Sequence, residues 1–144
     1  MARPVGYSSM KAYMIPVVDQ LAAAFDAVKP GDPLSPSTEM GCLSTRGQYD
    51  KVRGYIEIAQ NEGARMVAGG DVPEELSHGF FVRPTVFADV TPDMRIAQEE
   101  VFGPVLSVLK WSDYDSLIEA VNGVDYRAHC LGLDARYLTS YACS

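Results

Sequence analysis

Apolar residues recur at helical spacing from Val17 to Lys29: Val17, Leu21, Phe25 and Val28 share one face, with alanines between them. The spacing predicts a helix over 17–29, with Pro16 in the first turn, where its missing N–H costs nothing. Pro30-Gly31 stops it, and Asp32 to Pro36 reads as loop. A second helix opens at Thr45, which with Gln48 three residues on has the pattern of a capping box. Tyr49, Val52, Ile56 and Ala59 form its apolar stripe, and Gly63 supplies the stop.

Shorter runs follow. Arg65 to Ala68 is a strand candidate ending at Gly69-Gly70. Phe80 to Val90, rich in aromatic and β-branched residues, reads as extended, with Pro84 placing part of it at an edge or bulge. Thr91-Pro92 reads as an N-cap and first-turn proline, opening a short turn through Glu100. Gly103-Pro104 breaks that turn, and Val105 to Trp111 is a further strand. Ser112 is expected to cap a last helix with Leu117, Ile118 and Val121 facing inward and Asn122-Gly123 as its end. Helices alternating with short apolar strands predict an α/β fold, a mostly parallel sheet flanked by helices.

Composition narrows the function. A length of 144 residues suits one domain, and a 47% hydrophobic content excludes a disordered tail. A net charge of -7 repels a phosphate backbone and gains nothing from anionic lipid, so neither nucleic acid nor a membrane is an expected partner. The longest apolar stretch, Val101 to Leu109, holds Gly103 and Pro104 and is too short to span a bilayer. Pro16 and Asp19 interrupt the N-terminal apolar residues, so no secretory h-region is read and a cytoplasmic location is expected. Cys42, Cys130 and Cys143 are odd in number and irregular in spacing, unlike a disulfide framework. With His78 and His129 they lack metal-ligand spacing, and no metal site is expected.

There is no G-x-G-x-x-G, P-loop, G-x-S-x-G or H-E-x-x-H motif. Four other segments carry more information. Residues 98–106 read Q-E-E-V-F-G-P-V-L, and 31–41 read G-D-P-L-S-P-S-T-E-M-G. Residues 54–70 read G-Y-I-E-I-A-Q-N-E-G-A-R-M-V-A-G-G, and 79–90 read G-F-F-V-R-P-T-V-F-A-D-V. In content and order they resemble the aldehyde dehydrogenase superfamily over residues 17 to 126. The resemblance makes residues 1–126 a segment of that family's catalytic domain and leaves 127–144 as a divergent tail.

The resemblance implies NAD(P)-dependent oxidation of an aldehyde to an acid. In the family a cysteine attacks the aldehyde, hydride passes to the nicotinamide, and a glutamate helps water cleave the thioester. Glu100 matches the glutamate that hydrogen-bonds the nicotinamide ribose, and Phe102 the aromatic beside the nicotinamide end. Gln48 and Lys51 match a pair that contacts the other ribose, and their i, i+3 spacing puts both on one helix face. Without the resemblance, each residue has a plainer reading. Glu100 is then a solvated carboxylate, Phe102 a core residue, Gln48 only the capping partner of Thr45, and Lys51 a surface lysine weakly paired with Tyr55 or a nearby acid.

No G-Q-x-C context for the family's nucleophile occurs in this sequence. Cys42, in M-G-C-L-S, has no neighbouring base in sequence and reads as a loop substitution. The chain is therefore expected to be an N-terminally truncated fragment, inactive alone and of doubtful dinucleotide affinity. Its expected partners are further copies of itself in a homo-oligomer, or a separate N-terminal enzyme half. The alternative is a non-catalytic binding or oligomer-forming protein derived from such a gene. The tail also departs: relatives continue after Asp125-Tyr126 with a segment like G-L-T-A-S-V-W-T-R-D, where this chain has R-A-H-C-L-G-L-D-A-R-Y. Codons for the latter can be chosen so that starting one base later yields the former. The tail is thus expected to be read out of frame, with His129, Cys130 and Cys143 as accidents of translation.

Overall fold

The structure, a computed structural model, describes residues 7–111, 113–123, 131–134 and 139–142. Among these, helix α1 (Tyr7–Ala27) is followed by α2 (Arg46–Asn61), β1 (Arg65–Ala68) and a single 3-10 turn at Glu74–Leu76. Then come β2 (Thr85–Val90), the one-turn helix α3 (Arg95–Gln98), β3 (Val105–Leu109), α4 (Tyr114–Asn122), β4 (Leu131–Asp134) and β5 (Thr139–Ala142).

The sheet corrects the expectation of a mostly parallel one. Its order is β1-β2-β3, with β1 antiparallel and β2 parallel to their neighbours β2 and β3 respectively, so it is mixed. The connection explains this. The β1–β2 link is a loop and a 3-10 turn that brings the chain back alongside, whereas β2 to β3 crosses over through α3, as a parallel pair requires. The central strand β2 is buried at every position except Asp89, which is why its sequence is nearly continuous in apolar residues.

A bulge sets the sides of β2. Asp89 has φ 58°, and the β2–β3 register shifts between Phe87 and Val90. Residues three apart on a regular strand face opposite ways, but here Phe87 and Val90 join one core cluster. That cluster packs Val52, Ile56 and Ala59 of α2 against β2, with Met94 and Ile96 closing one end. The alternation sends Val86 and Ala88 to the other face, and α1 lies against β1 and β2. The Asp89 carboxylate joins the three strands electrostatically: it accepts from Arg65 of β1 at 2.9 Å and from Lys110 beyond β3.

Helix ends follow the sequence in part. Thr45 caps α2, its hydroxyl accepting from the Gln48 amide at 3.1 Å, and Gly63 takes φ 97° just past the end. The box is offset by one residue, since Gln48 Oε1 accepts from Ser44 N–H at 3.3 Å and not from Thr45. Tyr55 is buried in the stripe, while Tyr49 is half-buried and stacks on Phe80 with centroids 5.9 Å apart. Helix α1 starts at Tyr7, ten residues before the expected Val17. Pro16 therefore stands inside it, where it removes one ladder hydrogen bond, and the helix ends at Ala27.

Three further expectations change. Thr91-Pro92 does open a turn, in which Met94 N–H donates to the Thr91 carbonyl at 3.1 Å, but the N-cap of α3 is Met94 and not Thr91. The extended reading of 80–90 narrows to a strand over 85–90, because Pro84 cannot donate and the residues before it follow the loop. The cap of α4 is Asp113, in a full box with Ser116, one position past the expected Ser112, which lies outside the described residues. Ile118 of α4 is exposed, Leu117 and Val121 are half-buried, and the helix has no buried residue.

In the tail, β4 and β5 pair antiparallel from Leu131↔Ala142 to Asp134↔Thr139. His129, Cys130 and Cys143 lie outside the described residues.

Candidate functional site

Helix α2 presents Gln48, Lys51, Val52 and Tyr55 along one face, at the i, i+3, i+4, i+7 spacing that aligns side chains. The segment 99–103, between α3 and β3, runs antiparallel to this face. Gln48 Nε2 donates to the Phe102 carbonyl at 2.7 Å, and Lys51 Nζ to the Glu100 carbonyl at 3.0 Å. Just past these anchors in both segments Gly103 lies on Val52, so close that a Cβ would meet Val52 Cγ2 at 2.4 Å. At the far end the Tyr55 hydroxyl donates to the Glu99 carboxylate. All four residues singled out in the sequence are thus brought together by one helix and one loop.

These two anchor contacts are to backbone carbonyls, and Glu100 itself is half-buried. The Glu100 side chain has no partner among the described residues. Phe102 is 64% exposed as a residue and its backbone has φ 53°, a left-handed conformation costly for a residue with a side chain. That disposes of the core reading of Phe102. Gln48 does serve the helix cap through its oxygen, but its nitrogen holds the loop as well. Lys51 is more than a solvated lysine: its ammonium sits 5.1 Å from the Phe102 ring centroid and 5.5 Å from that of Tyr55.

Behind the loop stands a polar network not anticipated from the sequence. Arg95 forks onto the Glu99 carboxylate at 2.8 and 2.9 Å and places its guanidinium 5.5 Å over the Tyr55 ring. The Arg95 hydrogen bonds, then that of Tyr55, hold the Glu99 carboxyl down at about 2. The same bond to Glu99, and then burial, push the Tyr55 phenol up. The Arg95 N–H donates to Glu62 Oε2 at 2.9 Å, tying α3 to the end of α2. The doubled glutamate at 99–100 and a tyrosine seven residues past Gln48 were the available signals.

The arrangement offers a free carboxylate, an exposed aromatic face and an ammonium with N–H groups to spare. A carboxylate accepts from two adjacent hydroxyls, and a flat ring packs against another. A vicinal diol attached to a planar group fits this set. Among the described residues no thiol takes part: Cys42 is free and exposed. No group of three or more His, Cys, Asp and Glu suited to a metal occurs among the described residues, and no helix there is long and apolar enough to cross a membrane.

Comparison with known proteins agrees with the motifs. The profile of the aldehyde dehydrogenase family matches residues 10–132. An aldehyde dehydrogenase (tropH) of Talaromyces stipitatus is 52% identical over 103 residues, covering 68% of this chain and 20% of its own length. The betaine aldehyde dehydrogenase of Brucella anthropi is 46% identical over 111 residues, covering 76% of this chain and 23% of its own. Among solved structures, the NAD+ complex of an aldehyde dehydrogenase from Bacillus cereus superposes with a TM-score of 0.70 at 40% identity, over 82% of this chain and 23% of that one. That of Mycobacterium tuberculosis, also with NAD+, gives 0.72 at 38%, over 87% and 24%. The chain spans between a fifth and a quarter of the length of these relatives, and it belongs to the aldehyde dehydrogenase family.

Proposed function

We propose that this segment is the ribose- and nicotinamide-facing wall of an NAD(P) site in an aldehyde-oxidising enzyme. The observation that carries this reading is the free Glu100 carboxylate beside the exposed, left-handed Phe102, both held from behind by α2. Glu100 accepts from the two hydroxyls of a ribose, and Phe102 packs beside the planar ring. Gln48 and Lys51 brace the loop and keep spare N–H donors for the second ribose. The dinucleotide, when bound, supplies the hydride acceptor. Two NAD+ complexes of relatives share this part of the fold.

These 144 residues do not oxidise aldehydes by themselves, because none of Cys42, Cys130 and Cys143 stands in the G-Q-x-C context of the family nucleophile. Activity requires the part of such an enzyme that carries that cysteine, supplied here as the N-terminal half of a relative. The test is NADH formation from NAD+ and an aldehyde. The purified chain alone is expected to give none, and mixing with the N-terminal part of the Brucella anthropi relative to give a rate. Turnover by the chain alone would contradict the reading.

A second reading, a non-catalytic oligomer-forming protein of the same ancestry, is favoured by the sheet and α4. Among the described residues β3 pairs on one side only and is half-buried along its length, while Tyr114 and Ile118 are exposed. Light scattering distinguishes it: a homo-oligomer without affinity for NAD+ supports it, and a monomer counts against it.

A further inference from the structure

Glu99 and Glu100 are adjacent acids with opposite surroundings. Glu99 is gripped by Arg95 and Tyr55, and Glu100 has no side-chain partner among the described residues. The backbone at Glu99 is extended, with φ -122° and ψ 147°. In extended chain, successive side chains point to opposite sides. Holding Glu99 against Tyr55 of α2 therefore sets the Glu100 side chain to the other side of the chain, where it is half-buried and meets no partner among the described residues. The next contacts continue the same geometry, through the carbonyls of Glu100 and Phe102 held by Lys51 and Gln48.

We propose that Glu99 is a positioning residue: its bonds to Tyr55 and Arg95 fix the loop so that the Glu100 carboxylate and the Phe102 ring stand ready for the dinucleotide. The proposal rests on the cofactor-facing reading and adds to it the device that orients the site. Three features make Glu99 the suitable anchor. It is the C-cap of α3, just past the helix, where the chain passes into the loop. Its fork with Arg95 is bidentate, which fixes direction as well as distance. Its third bond is to a residue of α2 that is buried and cannot follow the loop if the loop moves. Lys51 links the two layers, lying over the Tyr55 ring of the anchor and the Phe102 ring of the exposed face.

The test uses the 144-residue protein and two readouts. One is the nuclear Overhauser contact between the Lys51 methylenes and the Phe102 ring, which reports loop geometry without ligand. The other is NAD+ affinity by calorimetry. Glu99→Ala is expected to abolish the Lys51–Phe102 contact and to weaken NAD+ about five- to tenfold, the scale of one lost hydrogen bond of ordinary strength. Tyr55→Phe, which removes only the hydroxyl, is expected to weaken both less. Glu99→Gln, which keeps an acceptor for Tyr55, is expected to restore part of the loss. If Glu99→Ala unfolds the chain, Tyr55→Phe decides. Unchanged contact and affinity in the folded variants would overturn the proposal. If the wild-type protein binds no NAD+, the cofactor reading fails, and the Lys51–Phe102 contact alone decides whether Glu99 sets the loop.

Discussion

The ammonium of Lys51 donates to the main-chain carbonyl of Glu100 at 3.0 Å and leaves the Glu100 carboxylate without a partner among the described residues. A lysine three residues beyond Gln48 thus donates to the loop's backbone and not to the Glu100 carboxylate. The carboxylate stays available to hydroxyl donors.

Replacing Lys51 by methionine keeps the apolar stem and removes the three donors. The Glu100 carbonyl then loses its partner and the two rings lose their shared cation. Lys51→Met is expected to lower stability by about 1 kcal/mol, read by urea denaturation. NAD+ affinity should fall more steeply than that of a variant at an unrelated exposed site such as Leu34→Ala.

Glycines on either side of the α2–loop contact should respond with opposite signs. At Gly103 a methyl group would press on the fully buried Val52, so Gly103→Ala should cost about 1–3 kcal/mol. At Gly54, inside α2, an added Cβ meets nothing within 4 Å. Gly54→Ala should stabilise by about 0.4–1 kcal/mol, because the unfolded chain loses freedom. Denaturant midpoints with unchanged slopes would check both.

Acid should release the Glu99 anchor. Its carboxyl titrates at about 2 in the folded protein against an ordinary 4.5, so folding favours the ionised form. The stability it contributes is complete above pH 4.5 and is lost as pH falls from there toward 2. Asp89, lowered by Lys110 and Arg65, acts in the same direction. Both pairs are partly exposed, so the effect is screened by salt. Thermal melts between pH 5 and 2 should fall less steeply in Glu99→Gln than in the wild type.

The DNA encoding residues 127–137 tests the tail. Read one base later, it is expected to give a segment like G-L-T-A-S-V-W-T-R-D. Codons incompatible with that reading would exclude a shift of frame and give R-A-H-C-L-G-L-D-A-R-Y a lineage of its own.

Much of the fold was legible because its signals are local. The Thr45 cap, the stripe through Val52, Ile56 and Ala59, and the Gly63 stop each depend on residues within a turn or two. Strand direction was not legible, since whether β1 runs with or against β2 depends on a loop with no periodicity of its own. The reach of α1 past Pro16 was missed because proline weighs against helix locally. At the candidate site, the family resemblance named Glu100, Phe102, Gln48 and Lys51, but which atoms meet was hidden. Side-chain spacing says nothing about a carbonyl forty-nine or fifty-four residues away. Nor does it show that Glu99, Arg95 and Tyr55 close into one network, because that joins α2 to α3 in space alone.

The central claim is that this segment carries a working face of a dinucleotide site, and titration of NAD+ into the purified 144-residue protein by calorimetry tests it most directly. The account predicts weak, saturable binding that is lost in Glu100→Ala while the denaturation midpoint stays in place. No binding by the wild-type protein, or binding that Glu100→Ala leaves intact, would contradict it.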